Sequence, residues 1–543
     1  MAASMLSHWL QTQKQSQSSA DRAASSVFYR NLEDVLNSRR AKQSLYTFRK
    51  RGGEIDFSSN DFLSLATTGE LRNALFEELA QHPDFEIGSK GPRLFDGNND
   101  YIEQVEREIA EFHGAESAII VNSGFEGNVA IFEAIPRQGD AIVYDALVHA
   151  STHVGMAKAK AELRLPFRHN DLESFRNTLT VVRDSQQLIR DGERCVLIAV
   201  ESIYSMDGDV APLVELIQIA KELFPVGNAQ FIVDEAHATG ILGPKGEGLV
   251  TQLGLEKEIA VRMYTFGKTM ASTGAAILGS ETIKLMLINN ARSLIFTTAP
   301  SFVTLATIRA SYKLIASENA SESRSHIQNL VTHFFKLITA DPAIQQALAT
   351  GIIRLPVYNG WESRPFQTQI CPVVTRANTR YNFFLIFHLQ LAKFCAFPID
   401  FPVVPKGQSR VRLCFHATNT MAEVDGLVRA MSTWSQEMLD IESGKSKMPV
   451  PSATAKVYAF MAMEGENGAN GTNGVNCHNG TKGTSGTKGV KGVNNHDGHN
   501  DTNGHDGTNG TNGRKVSADS NGHPISDEVQ VVADQRGITT ALH

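Results

Sequence analysis

From about Ile55 to Ser280 the chain alternates short apolar runs with longer stretches whose apolar residues recur at helical spacing. The runs Ser117 to Val121, Ala141 to Tyr144, Cys195 to Val200, Phe231 to Val233 and Ala275 to Leu278 are brief and rich in β-branched residues, which predicts strands covered on both faces. Between them, Glu103 to His113 brings Val105, Ile109 and Phe112 to one side of a helix. Pro212 opens another, with Leu213, Leu216, Ile217, Ala220 and Phe224 on its apolar side. Strands and helices in alternation predict an α/β fold with a mostly parallel sheet.

After Pro300 the pattern turns more helical. Extended segments at Ile370 to Val374 and Arg410 to Phe415 then precede a final helix near Met421 to Met438, which predicts a smaller α+β lobe. The expected organisation is an N-terminal segment over 1–52 with a disordered first part, a large domain over 53–300, a small C-terminal domain over 301–442 and a disordered tail over 443–543. Between Gly465 and Gly513 the tail is dominated by Gly, Asn, Thr and His, with almost no large apolar residue to offset the entropy of ordering. Its sequons, such as Asn470-Gly471-Thr472, read as products of that bias, and His496, His499 and His505 as solvated side chains; no metal is expected.

With 543 residues, 42% of them hydrophobic, the chain can bury a large core. Its net charge of -7 offers no surplus of cations for a phosphate backbone, so nucleic acid is not an expected partner. Cysteines stand at 195, 371, 395, 414 and 477, an odd number without CxxC spacing, which suggests neither a disulfide framework nor a thiolate zinc site and fits a reducing compartment. No apolar stretch approaches the roughly 18 to 20 residues that span a bilayer, and the start lacks the apolar core of a secretory signal. A cytoplasmic protein is expected. Residues 1–20 lack acids but hold one Lys and no Arg, too little positive charge for a mitochondrial address, which stays as the alternative.

Tyr264-Thr265-Phe266-Gly267-Lys268 is a β-compatible run ending in Gly and Lys, followed by small residues from Ala271 to Ala276. A lysine at a strand end among small residues can meet a flat cofactor and form an imine; on its own it reads equally as a lysine on a surface loop. In Phe231-Ile232-Val233-Asp234-Glu235-Ala236-His237 a carboxylate follows three apolar residues, where a buried strand would meet a site at its carboxyl end. A protonated pyridine nitrogen would give Asp234 a cationic partner, and a turn cap is its ordinary role. His237 could reach a ring hydroxyl or sit as a satisfied core histidine. Asn122-Ser123-Gly124-Phe125 leads into a helical pattern whose free N–H groups would hold a phosphate, while His149 could stack on a flat ring or simply occupy a loop.

Taken in order, these segments resemble the α-oxoamine synthase family of pyridoxal-phosphate enzymes, which includes 8-amino-7-oxononanoate synthase. The resemblance runs from about Asp34 to Arg429. Its joint pattern adds Phe57-Ser58-Ser59-Asn60-Asp61-Phe62-Leu63, His149-Ala150-Ser151, Ser205-Met206-Asp207-Gly208-Asp209, Asp234-Glu235-Ala236-His237-Ala238-Thr239-Gly240 and Arg410-Val411-Arg412 to the lysine and glycine segments. It implies a fold-type I transferase, a homodimer with sites at the subunit boundary, and pyridoxal 5'-phosphate as cofactor. By the same resemblance Lys268 forms the Schiff base, Asp234 pairs with the pyridinium, His237 approaches the ring oxygen, His149 stacks on the ring and Ser205 lies beside it. Gly124, Phe125 and Thr265 would hold the phosphate, helped by Thr297 or Thr298 of the partner subunit. Asn60 and Arg412 would meet the amino-acid carboxylate.

The implied reaction joins an amino acid to an acyl thioester with loss of CO2, giving an α-amino ketone, with the freed Lys268 amine removing the α-proton. An aminotransferase and a non-catalytic subunit of a heteromeric synthase are the competing readings, and retention of Lys268, Asp234 and His237 argues against the second. Lys90 and Pro92 stand where the family's glycine-rich segment carries smaller residues, and Tyr46 where biotin-pathway members tend to carry an arginine. These departures, with the foreign tail and Arg412-Leu413-Cys414-Phe415-His416, point to a fungal specialised pathway acting on a polyketide or fatty acyl chain, with an acyl carrier or polyketide synthase as a compatible partner.

Overall fold

The structure, a computed structural model, describes residues 16–460 apart from 42–44, 46–47, 49–51 and 377–378. Tyr46, the sequons and the tail histidines lie outside the described residues. The large sheet has seven strands: β1 (Ser117–Val121), β2 (Ala141–Asp145), β3 (Leu163–Phe167), β4 (Val196–Glu201), β5 (Ala229–Asp234), β6 (Ile259–Thr265) and β7 (Ala275–Gly279). Their order is β1-β7-β6-β5-β4-β2-β3, and β7 alone is antiparallel to its neighbours. The parallel majority follows from helical crossovers between strands that are apolar on both faces.

Alternation along the strands sorts the side chains into two layers. Ile119, Ile142, Leu197, Ala199, Ile232, Val261, Met263, Ala275 and Ile277 form one core with Ile131 and Phe132 of helix α2 (Gly124–Ala134), which follows helix α1 (Asp100–Phe112), and Met156 of helix α3 (Ala150–Lys158). Ala141, Val143, Ile198, Val200, Phe231 and Val233 point the other way, into a larger core that continues into the second lobe.

That lobe carries a four-stranded antiparallel sheet of β8 (Ile353–Arg354), β9 (Ile370–Thr375), β10 (Phe397–Ile399) and β11 (Arg410–Cys414), in the order β10-β11-β9-β8. The lobes exchange segments. Ile55–Asp56 pairs in parallel with Phe394–Cys395, and buried Phe57 sets its ring edge-on against Phe394 and Phe415, with centroids 5.9 and 5.6 Å away. In the other direction, helix 302–315 returns to the first lobe, where Arg309 binds Glu78 and Glu108 and Ser311 donates to the Met270 carbonyl at 2.7 Å.

Residues 17–25 and 27–41 of the N-terminal segment are helical, and one stretch further on differs from expectation. Where a disordered tail is expected from 443, residues 452–460 form a helix in which Ala453, Thr454 and Val457 are buried, preceded by buried Val450. Ser452 ties this helix to Glu437 through its amide at 2.9 Å and its hydroxyl at 2.7 Å. The Gly/Asn bias starts only at Gly465, so a boundary at Ser443 fell too early. Among the described residues no helix is long and apolar enough to cross a membrane, and Cys195, Cys371, Cys395 and Cys414 are free thiols.

One turn joins the lobes. After β4 the chain folds back on itself, with Gly208 N–H donating to Tyr204 O at 2.8 Å and Tyr204 N–H to Asp209 O at 3.0 Å. Arg410 of β11 pairs with Asp207 at 2.6 Å and donates to Met206 O at 3.1 Å, Arg412 donates to Ser205 O at 2.6 Å, and Thr368 donates to Gly208 O. Gly208 has φ +69°, and a Cβ there would stand 2.0 Å from Ile370 O. Gly208→Ala should therefore destabilise the protein by roughly 3 kcal/mol or more. Denaturant unfolding checks this, and an unchanged midpoint would show that the turn does not hold the lobes.

Candidate active site

The layer argument that builds the core also builds the site. β4, β5 and β6 end in Glu201, Asp234 and Thr265, each two residues beyond an apolar neighbour in the layer under α2 and α3, so all three emerge on one face. Glu201 and Asp234 are direct register partners. Glu235 falls on the opposite face, where its carboxylate accepts the Leu249 and Val250 amides at 3.0 and 2.7 Å and serves the fold.

Lys268 lies on the turn between β6 and β7, with Nζ 2.8 Å from Nε2 of His237. Burial lowers its pKa to about 8, with help from Arg412 and against the pull of Asp234 and Glu201. Burial likewise holds His237 well below the usual histidine range, assisted by Lys268 and Arg412, so its ring is neutral beside the amine. Asp234 is held at both oxygens: Oδ1 accepts the Ala236 amide at 2.9 Å and Oδ2 accepts Asn128 Nδ2 at 2.8 Å. Glu201 is pushed well above the usual carboxylate range by burial and by Asp234 next to it, which favours its protonated form.

At the start of α2, Ser123 caps the helix by accepting the Glu126 amide at 3.1 Å, leaving the first amides directed outward. A Cβ on Gly124 would come within 3.1 Å of Thr265 Oγ1, so the glycine lets the helix start and the strand end close together. The half-exposed ring of Phe125 meets His149 edge-on at 6.3 Å. His149 caps α3, and its Nδ1 lies 2.7 Å from Ser151 Oγ. Thr297 and Thr298 line a small hollow with Asn122 and Glu126, and Thr298 O accepts from Asn122 of the same chain at 3.1 Å. Lys90 adopts φ +67°, which explains why a small residue suits that position.

Arg412 is nearly buried. Its Nε donates to Ser205 O at 2.6 Å and both Nη atoms donate to Asn60 Oδ1 at 3.0 Å. Among the described residues no carboxylate pairs with it, whereas Arg410, two residues earlier on the same strand, is paired with Asp207. The structure thus brings Lys268, His237, Asp234, Arg412, Asn60 and Ser205 together across the lobe boundary.

Comparison with known proteins agrees with this geometry. A family model for class I and II aminotransferases matches residues 53–431. Aminoacyl transferase sphA of Aspergillus fumigatus is 52% identical over 440 residues, spanning 80% of this chain and 93% of that protein. The 8-amino-7-oxononanoate synthase of Emericella nidulans is 42% identical over 388 residues, spanning 71% and 90%. The chain belongs to the α-oxoamine synthase family. Among solved structures, a serine palmitoyltransferase from S. paucimobilis with a bound PLP-myriocin aldimine aligns with a TM-score of 0.60 over 70% of this chain and 86% of that one. At 23% identity this likeness concerns the fold alone, and the fold is that of the fold-type I transferases.

α-Oxoamine synthases are pyridoxal-phosphate-dependent acyltransferases, and the reaction of this chain is the family's decarboxylative condensation of an amino acid with an acyl thioester. The site suits that cofactor on its own terms. His237 Nδ1 and Glu201 Oε1 are buried polar atoms with no hydrogen-bond partner among the described residues, a state that costs about 1 to 3 kcal/mol each unless a polar group meets them. An amine, an oriented carboxylate and a glycine-lined helix start complete the set.

The sequence assigns no role to Glu201, Asn128 or Ser151. Glu201 carries the same signal as Asp234, an acid ending an apolar strand. Asn128 carries no local signal, because Ser151 and Asp234 are remote from it in sequence, and Ser151 stands out only as part of His149-Ala150-Ser151. An amine with a pKa of about 8 gains little reactivity above that pH. Covalent capture of pyridoxal phosphate by the apoprotein should therefore quicken up to about pH 8 and then level off; a rate still climbing at pH 10 would contradict the burial of Lys268.

Proposed function

We propose that this α-oxoamine synthase acts in a fungal type of specialised pathway, condensing an amino acid with a long acyl or polyketide thioester. The reading rests on one observation above all: a buried arginine with no carboxylate partner among the described residues, Arg412, set against the Lys268 amine. A buried guanidinium is costly to keep without a counter-charge, and the carboxylate of a bound amino acid would supply one. The relationship to sphA over 80% of the chain supports the specialised role.

Residue roles follow from this. Gly124, Phe125 and Thr265 would hold the cofactor's phosphate, Asp234 its ring nitrogen and His237 its ring oxygen, with His149 over the ring and Ser205 at its side. When bound, pyridoxal phosphate supplies an electron sink for the α-carbon. Arg412 and Asn60 orient the substrate carboxylate. Lys268, with a pKa of about 8, takes the α-proton near neutral pH. The new C–C bond forms between the α-carbon and the acyl carbonyl, the thiolate leaves, CO2 departs, and Lys268 returns the proton.

The active form is a homodimer. Val27, Phe28, Leu32 and Val35 form an exposed apolar stripe on helix 27–41, and Phe95, Phe125 and Phe296 are also exposed, consistent with surfaces that a second copy would cover. Thr297 or Thr298 of the partner subunit would then complete the phosphate site. The free thiols are compatible with a cytoplasmic setting.

A mixed panel of amino acids and acyl thioesters, read by mass spectrometry with thiol and CO2 assays, should give both products in equal amounts with wild type and neither with Lys268→Ala. Amino transfer to a keto acid without thiol release would overturn the assignment in favour of an aminotransferase. Arg412→Gln should raise KM for the amino acid roughly 10- to 100-fold while leaving KM for the thioester unchanged, and a rise in the thioester KM alone would reassign the arginine.

A further inference from the structure

Asn128 sits one helical turn beyond Gly124 on α2 and is 2% exposed. Its Nδ2 lies 2.8 Å from Asp234 Oδ2 and 3.0 Å from Ser151 Oγ. The carboxylate fixes which end of the amide faces it, since the amide oxygen there would be repelled. An amide nitrogen has two protons and accepts nothing, so both contacts are donations and both protons are committed. Ser151 Oγ is therefore an acceptor toward Asn128, which leaves its single proton for His149 Nδ1 at 2.7 Å. The Ser151 backbone N–H also donates to that nitrogen, at 3.2 Å. A ring nitrogen that accepts two hydrogen bonds carries no proton.

We propose that Asn128 and Ser151 are positioning residues that couple Asp234 to His149, holding the His149 ring neutral with its proton on Nε2. This rests on the reading above, in which Asp234 and His149 meet the cofactor. The physical need is plain: an imidazolium at the cofactor would repel a pyridinium and compete with it for Asp234. The other titratable groups near His149 are Lys268, His153, His237 and Glu201, whose carboxyl accepts the His149 backbone N–H. Burial holds His149 below the usual histidine range, against the opposite pull of Asp234, in keeping with a neutral ring.

The test uses the holoenzyme, following bound-cofactor absorbance against pH and the dissociation constant for pyridoxal phosphate by equilibrium dialysis. Ser151→Ala should introduce an acid-side transition between about pH 5 and 7 that wild type lacks, with about tenfold weaker cofactor binding below it and little change above. Ser151→Thr, which keeps the hydroxyl, should behave as wild type. Asn128→Leu should reproduce the Ser151→Ala transition, and the double variant should cost no more than the larger single loss, as members of one chain do. Wild-type behaviour of Ser151→Ala, or losses that add in the double variant, would overturn the coupling. If Asn128→Leu fails to fold, the Ser151 pair decides alone. A wild-type protein that takes up no pyridoxal phosphate would instead defeat the proposed function, so the two failures are distinct.

Discussion

Two cations at the lobe boundary, the part-buried Lys268 and the buried Arg412, must be balanced before the two lobes can close over them. Isolated charges in a dry interior are too costly to keep, so each needs neighbours that share or offset it. Asp234 offers one negative charge, and burial beside Asp234 favours the protonated form of Glu201, so the pair does not supply two full charges. His237 and His149 are neutral. The fixed charges therefore leave the cluster short of one anion, and an enzyme built to receive an anionic cofactor and a carboxylate substrate is expected to carry such a deficit.

The way the cluster is assembled explains why the fold is interlocked. Lys268 and Asp234 come from the large sheet, Arg412 from the small one and Asn60 from the segment that follows the short pairing of Ile55–Asp56 with Phe394–Cys395. Their alignment depends on the turn at Ser205–Asp209, which one lobe supplies and the other grips through Arg410, Arg412 and Thr368. Arg410 and Arg412 point the same way on β11 yet have divided tasks: one is neutralised by Asp207 and anchors the turn, while the other keeps its Nη edge turned to Asn60. His169 strengthens the same region from the far side, bridging Asp145 at 2.9 Å and Asp209 at 2.8 Å, and that double pairing outweighs burial and raises its pKa to about 10.

How much of this was legible in the sequence depended on whether the cause was local. Buried strands such as Val196–Glu201 announce themselves because nothing polar interrupts them. β6 was read only near its end, because Arg262 breaks the apolar run; the structure buries that arginine and lets it donate to His113 O at 2.9 Å. β3 escaped notice because it is an edge strand, half exposed and containing Pro166, which only an edge tolerates. The helix at 452–460 was lost in the approach to the Gly/Asn tract, although Val450, Ala453 and Val457 carry enough apolar surface to bind it down. Lys268 and Asp234 stand out because each ends or follows a strand, where chemistry has a conventional place, whereas Arg412, in the middle of β11, is legible only through the family resemblance.

Asn128 shows where such reading stops. An asparagine inside a helix is a mild liability there, and nothing about its neighbours suggests a purpose. Its meaning comes from two partners more than twenty residues away, on β5 and at the start of α3, and from simple proton counting among them. The same counting makes the direction of the chain unambiguous: donors run from Asn128 to the carboxylate at one end, and through Ser151 to the imidazole at the other. A side chain that satisfies Asp234 and at the same time fixes the proton inventory of His149 constrains both without touching the reacting atoms. In a cluster already short of negative charge, preventing one more cation from forming is as consequential as supplying an anion.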